Sequence, residues 1–123
     1  MRYEAERGLP RDVTALQEHA LVGASELLAD TPHVRWFRRA VPGLHYVVAA
    51  NTTAAQTQAC LEGLGIALLP RFVARRHPEL VSVLPSLAPP ARTAYAVVHA
   101  TLRRNARIAA VLAWLPLAFA SAR

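Results

Sequence analysis

Lysine is missing altogether, and cysteine occurs once, as Cys60. A lone cysteine excludes an intrachain disulfide, which fits a reducing compartment. It also cannot complete a zinc site, because His19, His33, His45, His77 and His99 share no metal-ligand spacing. No Gly-x-Ser-x-Gly elbow and no phosphate-binding glycine loop occurs. Glu62 and Glu79 stand as isolated carboxylates, so no constellation argues for an enzyme and no cofactor is expected. The longest apolar stretch, Ile108 to Ala120, is too short to span a bilayer. The N-terminus, MRYEAERGLPRD, is charged and polar, unlike a signal peptide. These absences predict a soluble, cytoplasmic protein without metal or membrane partners.

What is present is a chain of 123 residues, 54% hydrophobic and 18% charged. That length and balance predict a single folded domain with a real core. The net charge is +6, carried by fourteen arginines. Such a balance suits either a solvated basic surface or an anionic partner. The arginines are scattered, with small clusters at Arg38-Arg39, Arg75-Arg76 and Arg103-Arg104-Arg107. No aromatics interleave them and no DNA-binding helix pair is evident, so this chain is not expected to bind nucleic acid directly.

One stretch organises the rest: HYVVAANTTAAQTQACLEGLGIALLP, from His45 to Pro70. His45 to Ala50 reads as a buried strand with β-branched Val47 and Val48 at its centre. Thr53-Ala54-Ala55-Gln56 has capping-box spacing, with Thr53 at the cap and Gln56 reaching back. Thr57, Cys60, Leu61 and Leu64 form a helical stripe, and Gly63 and Gly65 stop the helix. Gly65 to Leu69 is a second apolar run, closed by Pro70. A helix between two apolar strands predicts a βαβ unit in a parallel sheet. Ligands in open α/β folds sit beyond the carboxyl ends of the strands, here at Asn51, Thr52 and Thr53. Free N–H groups at the start of a helix suit a carboxylate there. Capping alone also accounts for these residues.

Upstream, residues 1 to 11 show no strong periodicity, and Gly8-Leu9-Pro10-Arg11 reads as a loop. Asp12 can cap a short helix, Val13 to Glu18, with Val13 and Leu16 inward. His19 to Ala24 looks like a strand. Thr31-Pro32 opens a helix through Ala40, with Val34, Phe37 and Val41 as its apolar stripe and Arg35, Arg38 and Arg39 in water. Downstream, Arg71 to Arg76 reads as a short helix with Phe72 and Val73 inward, ended by His77-Pro78. Leu80 to Leu84 alternates like a strand, and Thr93 to His99 reads as another. Between them Pro85 to Pro90 forms the one internal break. Asn105 can cap a final helix to about Ala122, with Ile108, Val111, Leu112, Leu115 and Phe119 as its stripe. Pro116 should kink or split that helix.

Several segments, in order, resemble the effector-binding domain of LysR-type transcriptional regulators. They begin with Arg7-Gly8-Leu9-Pro10 and Leu16-x-x-His19-Ala20-Leu21. Val34-Arg35-Trp36-Phe37-x-Arg39 and Ala49-x-Asn51-Thr52-Thr53 follow. The most specific is Leu61-x-Gly63-Leu64-Gly65-Ile66-Ala67-Leu68-Leu69-Pro70, with Ala74-Arg75-x-x-Pro78-Glu79-Leu80-Val81-x-Val83-Leu84-Pro85 behind it. His99-x-x-Leu102-Arg103-x-x-x-Arg107 is similar to the closing strand-to-helix passage. The Trp36-Phe37 helix and the His99 element look most like the branch of glycine-cleavage-type regulators.

The resemblance implies an α/β, periplasmic-binding-protein-like fold. Residues 1–91 would be mostly the second effector-binding subdomain. Residues 92–123 would be the returning strand and C-terminal helix of the first. The winged helix-turn-helix and most of the first subdomain have no counterpart, which implies a truncated form, with DNA bound only through the missing domain. Effector contacts carry over to Asn51, Thr52 and Thr53, with Gly23, Ala24, Ser25 and Pro70 bordering the cleft. The implied activity is sensing a small, anionic metabolite and controlling transcription by rearranging an oligomer. An apolar last strand and helix without their sheet should drive self-association, by exchange of the C-terminal segment. Two other classes stay open: a stand-alone small-molecule-binding or interaction module, and a small α/β enzyme with an unrecognised site, for which Cys60 and His99 are the residues to test.

Overall fold

The computed structural model describes residues 2–120. They form two compact units divided between Pro90 and Ala91. The first is a three-stranded parallel sheet with helices on both faces. Its strands are β1 (Leu21–Ala24), β2 (Tyr46–Ala50) and β3 (Ile66–Ala67), in the order β2-β1-β3. Its helices are α1 (Arg2–Arg7), α2 (Pro32–Ala40), α3 (Thr53–Leu61) and α4 (Arg71–Ala74). The second unit contains a short 3-10 turn, Ala100–Leu102, and α5 (Ala106–Ala120).

The central strand explains the core. All four residues of β1 are buried. Successive side chains on a strand point to opposite faces. Leu21 joins Leu16, Phe37 and Val41 under α2, whereas Val22 joins Ala59 and Cys60 under α3. One four-residue strand thus nucleates two cores, each large apolar side chain contributing roughly 1.5–3 kcal/mol by burial. The expected stripe Val34, Phe37 and Val41 is buried throughout.

The parallel βαβ arrangement is observed, with one refinement. β1 lies between β2 and β3, so the β2–α3–β3 connection passes over the central strand. That puts β2 at the edge, and it is not the fully buried strand its composition suggested. Its residues alternate between half-buried and exposed, with Val47 54% exposed. The helix stripe also shifts. Gln56, Thr57, Ala59 and Cys60 are the buried positions of α3, and Leu64 is exposed. Gly63 ends the helix with φ +77°, a conformation glycine adopts without steric cost. Gly65 acts by closeness instead. A Cβ there would lie 2.5 Å from the Ala20 carbonyl oxygen, which accepts the Ile66 N–H at 2.9 Å.

Several expectations fail. Residues 2 to 7 form α1, which lacks apolar periodicity but is anchored by buried Tyr3. The Tyr3 hydroxyl lies 3.0 Å from His19 Nδ1 and accepts the Ala20 N–H at 3.1 Å. Leu80 to Leu84 is not a strand. Leu80 packs on the core beneath α3 and Leu84 on the core beneath α2. The segment therefore bends round the sheet edge, and Leu84 takes φ +50°. Phe72 is 47% exposed, not inward. In the second unit, Thr93 to His99 is not a strand, because no described strand of this unit offers it an edge. α5 is capped as expected, with Asn105 Oδ1 accepting the Arg107 N–H at 3.0 Å. It runs unbroken through Pro116, and its expected end at Ala122 lies outside the described residues.

Candidate functional site at the carboxyl edge of the sheet

The register places two chain turns side by side. Ala24 pairs with Ala50 at the last rung of β1 and β2. The Ser25 N–H then donates to the Ala50 carbonyl at 3.1 Å and carries the pairing one residue further. Ser25 and Asn51 therefore leave the sheet at the same edge. From there Asn51 and Thr52 turn into α3.

The helix start is capped one residue earlier than the capping-box spacing suggests. Thr52, extended at φ −130° and ψ 145°, is the cap, and its Oγ1 accepts the Ala55 N–H at 3.2 Å. Adjacent threonines left that choice ambiguous in the sequence. Gln56 does not reach back to the cap. Its buried amide donates to the Gly23 and Ala50 carbonyls at 3.3 and 3.1 Å. It thereby ties the ends of β1 and β2 beneath the helix, a role that only knowing the strand order reveals. The Ala55 and Gln56 N–H groups are used by Thr52. Those of Thr53 and Ala54 have no acceptor among the described residues, as the first turn of a helix leaves them.

Asn51, Thr52 and Thr53 are exposed, and Ser25 is half-buried. The Ser25 hydroxyl oxygen is itself buried and has no hydrogen-bond partner. Gly23 and Ala24 are buried beneath this edge. The Tyr46 ring lies over Gly23, where a Cβ would collide with Cε1. Burial pushes the Tyr46 phenol upward, partly offset by the Arg38 guanidinium. The void beside Gly23, Ala24, His33 and Gln56 measures about 20 Å³, room for no more than one water. Pro70 stands three residues beyond β3, where its carbonyl accepts the Val73 and Ala74 N–H groups. No hydrogen bond ties it to the other six positions.

The remaining chemistry is sparse. Burial pushes the Cys60 thiol up to about 11, tempered by the Ala67 N–H, so its thiolate is scarce at neutral pH. His99 is exposed and caps the Ala100–Leu102 turn, with Nδ1 2.8 Å from Thr101 Oγ1. Among the described residues no cluster of three or more His, Cys, Asp or Glu could hold a metal ion. No described helix is long and apolar enough to cross a membrane.

A parallel sheet covered on both faces, with polar groups where β1 and β2 end, is an α/β architecture of the kind that binds ligands beyond the carboxyl ends of its strands. Residues 2–119 match the LysR substrate binding domain, and the chain belongs to that family. No curated protein and no solved structure matches it significantly. Membership gives the chain an effector-binding, regulatory role in a family of transcription regulators, which are not enzymes.

Proposed function

We propose that this chain senses a small anionic metabolite at the carboxyl edge, with Ser25, Asn51, Thr52 and Thr53 as its contacts. Gly23, Ala24 and Pro70 shape that edge. The observation that carries this reading is the buried, unpartnered Ser25 hydroxyl, on a residue whose backbone N–H donates to the Ala50 carbonyl beside the start of α3. The free N–H groups of Thr53 and Ala54 add two donors and the positive end of the helix dipole. A carboxylate satisfies both N–H groups, whereas an ammonium group satisfies neither.

In this proposal the protein is a cytoplasmic regulator of the glycine-cleavage-type branch, and DNA is contacted by a separate helix-turn-helix domain. Residues 1–91 act as the second effector-binding subdomain. Residues 92–123 supply a strand and helix to the first. The unpaired Thr93 to His99 segment and the exposed apolar side chains of α5 support that division. The same surfaces favour self-association, and effector binding acts on transcription by rearranging the oligomer.

Thermal-shift measurements with matched acids, amides and amines test the site. Small carboxylates should raise the melting temperature, and Ser25→Ala or Thr53→Ala should reduce that rise. Stabilisation by neutral or cationic ligands alone would contradict the proposal.

A further inference from the structure

A much larger cavity lies elsewhere in the first unit, along the outer side of β3, and encloses about 510 Å³. β3 is an edge strand. Ile66 to Leu69 form one wall, and residues 80 to 87 form the other as they wrap round the edge. The walls are mostly aliphatic, and Cys60 is also among the lining residues. The charged lining is all of one sign. Arg71 and Arg75 border the cavity with half-buried His77, and no Asp or Glu lines it. Neither arginine is ion-paired among the described residues; the carboxylate of Glu26 is bridged to Arg38 instead.

We propose that this cavity is a second small-molecule site, taking an apolar monocarboxylate with an aryl or branched alkyl body. Its volume falls within the range of about 300–1,000 Å³ usual for such sites. The hydrophobic body lies between Ile66, Leu69, Leu80 and Val83, and the carboxylate meets the guanidinium groups of Arg71 and Arg75. A peptide strand fits less well, because β3 has two residues and offers little ladder to extend. The cavity adjoins Pro70, but its lining includes none of Ser25, Asn51, Thr52 and Thr53, and it does not depend on the effector reading there.

The test is a ¹⁵N–¹H NMR titration of the full chain with 3-phenylpropionate and with its neutral amide. The acid should give saturable shifts at the amides of Ile66 to Leu69 and Leu80 to Leu84. The neutral amide should bind about tenfold more weakly, the weight of a charge-assisted contact. The double variant Arg71→Ala/Arg75→Ala should weaken the acid to that level and leave the neutral amide unchanged. Both side chains are exposed, so the fold should survive, and an unchanged spectrum elsewhere checks it. Equal binding of acid and amide, or no saturable shift at these amides, overturns the proposal. So do shifts there that follow protein concentration alone, which would mark a second copy as the occupant. Shifts confined to Ser25 and Asn51 to Ala55 would overturn this site while leaving the effector site standing.

Discussion

Residues up to Pro90 and residues from Ala91 onward both hold an apolar, strand-like run and a capped helix. In the first unit these become a sheet with two buried cores. In the second, no described residue is buried, and Val97, Trp114 and Leu117 are 92%, 60% and 69% exposed. The difference is not in the side chains, since Thr93 to His99 has more β-branched and aromatic character than Leu21 to Ala24. It lies in what the neighbouring chain supplies. β1 finds an edge on either side, from β2 and β3. The second unit has one strand-like run and nothing within itself to pair it with. Strand character is realised only where a second strand completes the hydrogen bonds.

The same truncation made in each unit gives the sharpest contrast. Leu21→Ala should cost about 2–5 kcal/mol in urea unfolding, the range for a buried leucine. Leu117→Ala should stay within about 0.5 kcal/mol. Equal costs would show that the second unit is packed in solution.

Titration gives a contrast of about 2–3 kcal/mol at most. The folded-state pKa of Cys60 is raised, so burial of the neutral thiol stabilises the protein fully below the unfolded value near 9. That contribution is lost as pH rises through about 11. The stability difference between wild type and Cys60→Ala should therefore shrink across pH 9 to 11 and be constant below pH 8. A flat difference would show that the thiol is not buried.

The smallest contrast is between caps. Thr52→Ala should lower the unfolding free energy by about 1 kcal/mol, and Thr53→Ala by a few tenths. Asn105→Ala should reduce the helical circular dichroism of α5 while leaving the urea midpoint in place. A larger loss for Thr53→Ala than for Thr52→Ala would return the cap to the position its spacing first suggested.

Much of the first unit was legible because local signals and tertiary outcome agree. The Val34-Phe37-Val41 stripe, the Asp12 side chain that accepts the Ala15 N–H at 2.8 Å, and Gly63 at the end of α3 are all set by neighbours in sequence. What escaped depended on distant partners. α1 exists because one side chain, Tyr3, docks on His19 and Ala20. Leu80 to Leu84 has a strand's alternation, but its two leucines serve cores on opposite faces of the sheet. At the candidate site, the polar turn at 51 to 53 was readable. The Gln56 clamp and the unpartnered Ser25 hydroxyl were not, because both follow from β1 lying beside β2.

The central claim is that the end of that strand pair, not any other surface, receives the effector. A ¹⁵N–¹H NMR titration against a panel of small carboxylates measures it directly. The account predicts that a binding acid shifts the amides of Ser25, Thr53 and Ala54 first and most, and that Ser25→Ala weakens the effect. A panel in which every acid that binds leaves those three amides unmoved would contradict it.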